Sequence, residues 1–132
     1  MIRVMVVDDY EPFWRLVSET LAKGRDFQVV ATAASGEEAL RLADGVCPDL
    51  VLMDVELGSG MNGFEAARRT LSRHPNTKIV LLSMYDGAEY SRVAAQIGAL
   101  AFIPKRDFSP ETLGKLLGIA KGPTESVSGP GP

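Results

Sequence analysis

Five short apolar runs, separated by amphipathic stretches, constrain this chain more than any other feature. Ile2–Val7 is apolar apart from Arg3 and stops at Asp8-Asp9; Phe27–Ala33, Leu50–Met53, Lys78–Leu82 and Leu100–Ile103 have the same character. Runs this short, rich in β-branched residues, predict strands buried on both faces, the situation of a parallel sheet. Between them lie segments with helical spacing. Glu11–Lys23 places Phe13 or Leu16 with Val17 and Leu21 on one stripe, and Ser35–Ala43 opens as Ser-Gly-Glu-Glu, a capping-box pattern. Asn62–Ser72, Gly87–Ile97 and Pro110–Ala120 complete the set, the last behind a Ser109-Pro110 cap. Alternation repeated five times predicts an α/β fold, (βα)5. Right-handed crossovers then place helices on both faces of a parallel five-stranded sheet.

Composition removes several classes of function. With 132 residues, 45% hydrophobic and 23% charged, the chain suits one folded domain. Fourteen Lys and Arg against 17 Asp and Glu leave a net charge of −3, so no basic excess invites direct binding of nucleic acid. Cys47 stands alone, which excludes an internal disulfide and a zinc cluster; it is expected to pack beneath a loop. No apolar run approaches the roughly 18 residues that span a bilayer, and MIRVMVVDD is no secretory signal, so a cytoplasmic protein without membrane partners is expected. Gly122–Pro132 (GPTESVSGPGP) has no periodicity and reads as a disordered tail or linker after a folded domain over 1–121.

In open parallel sheets, ligands gather outside the C-terminal ends of the strands, where strand order reverses. The predicted strand ends carry Asp8-Asp9, Asp54, Ser83 and Lys105. Singly, each has a bland reading: turn acids, a polar residue after a strand, a surface lysine. Together they favour a metal–phosphoryl site. Adjacent carboxylates call for a hard divalent cation such as Mg²⁺, with Mn²⁺ as a substitute. Lys105 and the Ser83 hydroxyl would hold phosphoryl oxygens, and a carboxylate nucleophile would give an acyl phosphate. Gly58-Ser59-Gly60-Met61-Asn62-Gly63 matches GxGxxG, but Asp54 and Glu56 precede it and would repel a pyrophosphate; a mobile glycine loop is the simpler reading.

The pieces VVDD (6–9), LVLMD (50–54), VLLS (80–83) and FIPK (102–105) resemble the receiver domain of two-component response regulators, CheY-like proteins, over residues 2–120. The stretch 78–105 is most similar to receivers that precede a helix-turn-helix output domain, the LuxR/NarL type. The resemblance implies a flavodoxin-like three-layer sandwich of strand order 2-1-3-4-5. It also implies Asp54 as phosphoacceptor, Asp9 as a direct Mg²⁺ ligand, Asp8 acting through metal-bound water, and the Glu56 backbone carbonyl on the metal. Ser83 and Phe102 match the switch positions; Met84 and Tyr85 match positions that tune access, and a slow loss of the phosphoryl group is expected from them. Implied partners are a sensor histidine kinase or phosphotransfer protein, and a second copy through the face of the fourth helix, fifth strand and fifth helix. Glu89, Tyr90, Arg92, Arg106 and Asp107 fall on that face. Such a domain is a signalling acceptor rather than an enzyme. Trp14, at the edge of its helical stripe, is expected in the core, with kinase docking as the alternative. His74 is expected to end a helix.

Two further classes fit the same residues. One is a receiver-like interaction module that signals without phosphorylation; the other is a small phosphohydrolase of the haloacid dehalogenase type. The latter normally places its nucleophile at the first strand end with an acid two residues on, for which Glu56 after Asp54 is a poor stand-in.

Overall fold

The computed structural model describes residues 1–119, and the expected tail over 122–132 lies outside the described residues. Five strands, β1 (Ile2–Val7), β2 (Phe27–Ala33), β3 (Leu50–Asp54), β4 (Lys78–Ser83) and β5 (Ala101–Pro104), form one parallel sheet of order β2-β1-β3-β4-β5. They alternate with α1 (Glu11–Ala22), α2 (Gly36–Val46), α3 (Gly63–Arg73), α4 (Ala88–Ile97) and α5 (Pro110–Leu117), and a single 3-10 turn, Lys105–Asp107, links β5 to α5.

The three central strands lose nearly all contact with water, as their unbroken apolar runs require; β3 is buried at every position. Successive side chains on a strand point to opposite faces, and this divides the interior into two cores. Met5, Val7, Val51, Met53, Ile79 and Leu81 meet α2, α3 and α4, which present Ala39, Ala43, Ala66, Ala67 and Ala94. Val4, Val6, Leu50, Leu52, Val80 and Leu82 meet Val17, Leu21 and Leu113 of α1 and α5. Each fully buried branched side chain contributes roughly 1.5–3 kcal/mol of transfer free energy. Both cores therefore fix the sheet, and through it the strand ends.

Local signals set most helix boundaries. Ser35, Asn62 and Ser109 cap α2, α3 and α5, each accepting the backbone N–H three residues on. Gly98 and Gly118 stop α4 and α5 in the left-handed region, at φ 88° and 73°. Gly118 ends α5 at Leu117, earlier than the expected Ala120. Conversely, α2 runs three residues past Ala43 and closes at Cys47, whose φ of 47° carries its N–H back to the Ala43 carbonyl. Cys47 is consequently exposed, not packed beneath a loop. On α1 the inward stripe takes Phe13, whose ring meets Phe108 edge-on at 6.2 Å, while Leu16 faces solvent. Trp14 is half-buried against the same core, and the Arg15 guanidinium covers its ring. His74 caps the C-terminus of α3 as expected, its ring Nε2 2.8 Å from an Asp44 carboxylate oxygen. Among the described residues, no helix is long and apolar enough to cross a membrane.

Candidate functional site

The register of the sheet assembles the acids. Val7 pairs with Met53, so the next residues, Asp8 and Asp54, emerge side by side at the point where the chain order reverses between β1 and β3. Asp54 pairs in turn with Leu82, and Ser83 with Pro104, which brings Ser83 and Lys105 to the same edge. One carboxylate oxygen from each of Asp8, Asp9 and Asp54 lies within 4.8 Å of the others. Asp8 and Asp54 are buried, at 1% and 3% exposure, whereas Asp9 is open to solvent.

Lys105 supplies the positive charge. Its ammonium stands 2.8 Å from Asp8 Oδ2 and 3.5 Å from Asp54 Oδ2, with the side chain only 7% exposed. The Phe13 ring lies beneath it, 4.5 Å from nitrogen to centroid, so an aromatic face completes the cation's surroundings. One cation does not satisfy two buried carboxylates. Asp8 Oδ2 takes the close contact with the Lys105 ammonium, and Asp54 Oδ2 is left with the longer one. Burial, reinforced by the neighbouring Asp8 charge, raises the Asp54 carboxyl from 3.8 to about 7, against the opposing pull of Lys105 and the Glu56 N–H. Three clustered carboxylates, two of them buried and sharing one ammonium, are what a hard divalent cation would relieve, so the donor set fits Mg²⁺ or Mn²⁺.

The backbone around the acids is tightly drawn. The Tyr10 N–H donates to Asp8 Oδ1 at 2.9 Å and the Glu56 N–H to Asp54 Oδ1 at 3.1 Å, leaving the other oxygen of each carboxylate to face Lys105. Gly63, which opens α3, packs against the end of β3: a Cβ there would lie 2.0 Å from the Asp54 carbonyl oxygen. The glycine loop between them uses positive φ at Gly58 (76°) and Gly60 (90°). It is no anion cradle, because Gly58 backs onto the Asp9 carboxylate and Gly60 onto that of Glu37. Nor is it untethered, since Leu57 is buried and the Met61 N–H donates to Glu37 Oε2.

Ser83 is fully buried, and its hydroxyl is directed at the Glu56 carboxylate, 2.9 and 2.8 Å from the two oxygens. The Ser83 oxygen also accepts the Tyr85 N–H at 2.9 Å. Tyr90, in the first turn of α4, donates its hydroxyl to the same Glu56 carboxylate at 3.3 Å. Burial first, and the Glu56 charge second, raise the Tyr90 phenol above its ordinary range. The Tyr90 ring stands edge-on to Phe64 at 5.6 Å and to Phe102 at 5.3 Å. The family resemblance implies only a backbone role for Glu56 and puts Tyr90 on the face of α4, β5 and α5, so neither side-chain contact is visible in the sequence. No periodicity marks either one; only the tertiary approach of α4 to β3 reveals the contact.

Met84 and Tyr85 are exposed, at 68% and 65%, and with Tyr10 form the rim of the cleft that holds Asp9, Asp54, Glu56 and Lys105. Met84 thus stands at the mouth of the cleft. Glu89, Arg92, Arg106 and Asp107 are all exposed, and Arg106 pairs with Asp86 at 2.6 Å.

A cluster of acids facing one buried lysine, at the switch point of a 2-1-3-4-5 sheet, defines a receiver-type signalling domain. The chain belongs to the response regulator receiver domain family, which it matches over residues 4–117, and so to the proteins of two-component systems. It is 39% identical over 105 residues to the response regulator GacA of Pseudomonas viridiflava, covering 80% of this chain and 49% of that one. It is 34% identical over 104 residues to the transcriptional regulatory protein DegU of Brevibacillus brevis, covering 79% and 44%. The chain therefore spans about half the length of these relatives. The signal receiver domain of the response regulator NarL from Mycobacterium tuberculosis superposes with a TM-score of 0.79 at 32% identity, covering 92% of this chain and 97% of that one.

Proposed function

We propose that this domain accepts a phosphoryl group on Asp54 from a phosphohistidine of a sensor kinase or phosphotransfer protein, and that Asp9, Asp54 and the Glu56 carbonyl, with Asp8 acting through water, would hold Mg²⁺ or Mn²⁺. The observation that carries the reading is the unbalanced buried charge: two carboxylates, Asp8 and Asp54, share the single Lys105 ammonium. A divalent cation, when bound there, would supply positive charge against which a phosphoryl group could approach this anionic cleft. An Asp54 carboxylate oxygen attacks phosphorus, the P–N bond to the donor imidazole breaks, and the product is an acyl phosphate. Lys105 stabilises charge on the phosphoryl oxygens, and Ser83 donates its hydroxyl proton to one of them. Ser83 moves to do so, Phe102 and Tyr90 repack, and α4, β5 and α5 shift between two populated states read by a partner or a second copy. Met84 and Tyr85, on the rim, control the entry of hydrolytic water. The domain over 1–121 is an acceptor that turns over no external substrate.

Treatment with acetyl phosphate and Mg²⁺ should deposit a hydroxylamine-labile phosphoryl group on the peptide containing Asp54. A label on another peptide, or one stable to hydroxylamine, contradicts the assignment. Continuous release of phosphate from a phosphate ester would point instead to a hydrolase.

A further inference from the structure

We infer that the Glu56 side chain is a positioning residue that holds the switch in its resting arrangement by competing with the phosphoryl group for the Ser83 hydroxyl proton, and that it couples this competition to α4 through Tyr90. The inference rests on the phosphoacceptor reading of Asp54 but concerns a side chain to which that reading gives no task.

A serine hydroxyl has one proton to donate. In this structure that proton is directed at the Glu56 carboxylate, 2.8 Å away at the closer oxygen, and the Ser83 oxygen is already accepting the Tyr85 N–H. Ser83 is 0% exposed, so no water stands ready to replace a lost partner. Donation to a phosphoryl oxygen on Asp54 therefore requires release from Glu56. A bond to a charged acceptor is stronger than one between neutral groups, which makes the resting arrangement the favoured one until a more highly charged acceptor arrives. Release also leaves Glu56 with the Tyr90 hydroxyl as its remaining side-chain donor, at 3.3 Å. Because the Tyr90 ring rests on Phe102 and Phe64, a change at Glu56 reaches α4 and β5 by direct contact.

A simpler effect of Glu56, repulsion of an anionic donor, would also slow phosphorylation, so the test must separate the two. Glu56→Ala and Glu56→Gln are compared with wild type, each alone and combined with Ser83→Ala. Uptake from acetyl phosphate with Mg²⁺ is followed by intact mass, and the Tyr85 amide and Tyr90 ring are followed by NMR without any donor. Glu56→Ala should accelerate uptake by about tenfold, near the lower value of a hydrogen bond to a charged group. Glu56→Gln, which keeps a neutral acceptor, should fall between. In the Ser83→Ala background both substitutions should change the rate less than twofold. Without donor, Glu56→Ala should move the Tyr85 amide and Tyr90 ring signals. Equal acceleration by Ala and Gln that persists in the Ser83→Ala background would replace the competition with simple repulsion. Unmoved Tyr85 and Tyr90 signals would overturn the coupling. If wild type itself takes up no phosphoryl group, the phosphoacceptor reading fails, while the NMR signals still judge the hold on Ser83.

Discussion

Removing the charge from Asp54 should stabilise the metal-free domain, by an amount that depends on pH. The carboxyl titrates at about 7 in the folded protein against 3.8 in an unfolded chain, chiefly because it is buried and secondly because Asp8 is beside it. Between these values the native state binds the proton that the unfolded state releases, so stability falls as pH rises from about 4 to about 7. At 1.36 kcal/mol per tenfold, the full penalty above pH 7 is on the order of 4 kcal/mol. An asparagine side chain would keep the shape and the acceptor for the Glu56 N–H, but it forfeits the attraction to Lys105. We therefore expect Asp54→Asn to gain about 2 kcal/mol at pH 8, roughly 6–10 °C in midpoint for a domain of this size. The gain should shrink by more than half at pH 5. Thermal and urea unfolding followed by circular dichroism in EDTA measures this directly. Adding Mg²⁺ at pH 8 should narrow the gap by stabilising wild type, about 1.4 kcal/mol at ten times the dissociation constant. A variant no more stable than wild type at pH 8, or equally stabilised at pH 5 and pH 8, would refute the reasoning.

Three other perturbations probe separate parts of the account. Gly63→Ala places a Cβ 2.0 Å from the Asp54 carbonyl, so α3 or the end of β3 must move; a loss of about 3 kcal/mol in urea unfolding is expected. Lys105→Met leaves two buried carboxylates without their cation and should cost about 3 kcal/mol in EDTA at pH 8, with Mg²⁺ restoring part of it. Ser35→Ala removes the α2 cap, whose side chain accepts the Glu38 N–H at 3.1 Å, and should cost about 1 kcal/mol with no change in Mg²⁺ affinity.

Most elements were legible in the sequence because the relevant signals are local, whereas the strand order came from the family resemblance. Apolar runs such as Leu50–Met53 admit few placements other than a buried strand, and Ser35, Asn62 and Ser109 mark helix starts through their own side chains. The strand-end polar residues were legible for the same reason: a strand's length decides where its next residue emerges. Contacts across elements were not. Leu16 and Phe13 fit the α1 stripe equally well, and only packing against Phe108 separates them. Cys47 became exposed because α2 outran its apolar pattern. The Glu56 carboxylate and Tyr90 hydroxyl meet across 34 residues, a distance over which sequence spacing carries no information.

The net charge of −3 also acquires a location: without Asp8, Asp9 and Asp54, acids and the 14 bases would be equal in number. The central claim is that this acidic cluster exists to take up a phosphoryl group on one of its members. The most direct measurement is intact mass after incubation with acetyl phosphate, for wild type with Mg²⁺, wild type in EDTA, and Asp54→Asn with Mg²⁺. A single phosphoryl adduct confined to the first sample is the expected result. An adduct of equal extent on Asp54→Asn, or its absence from wild type with Mg²⁺, would contradict the account.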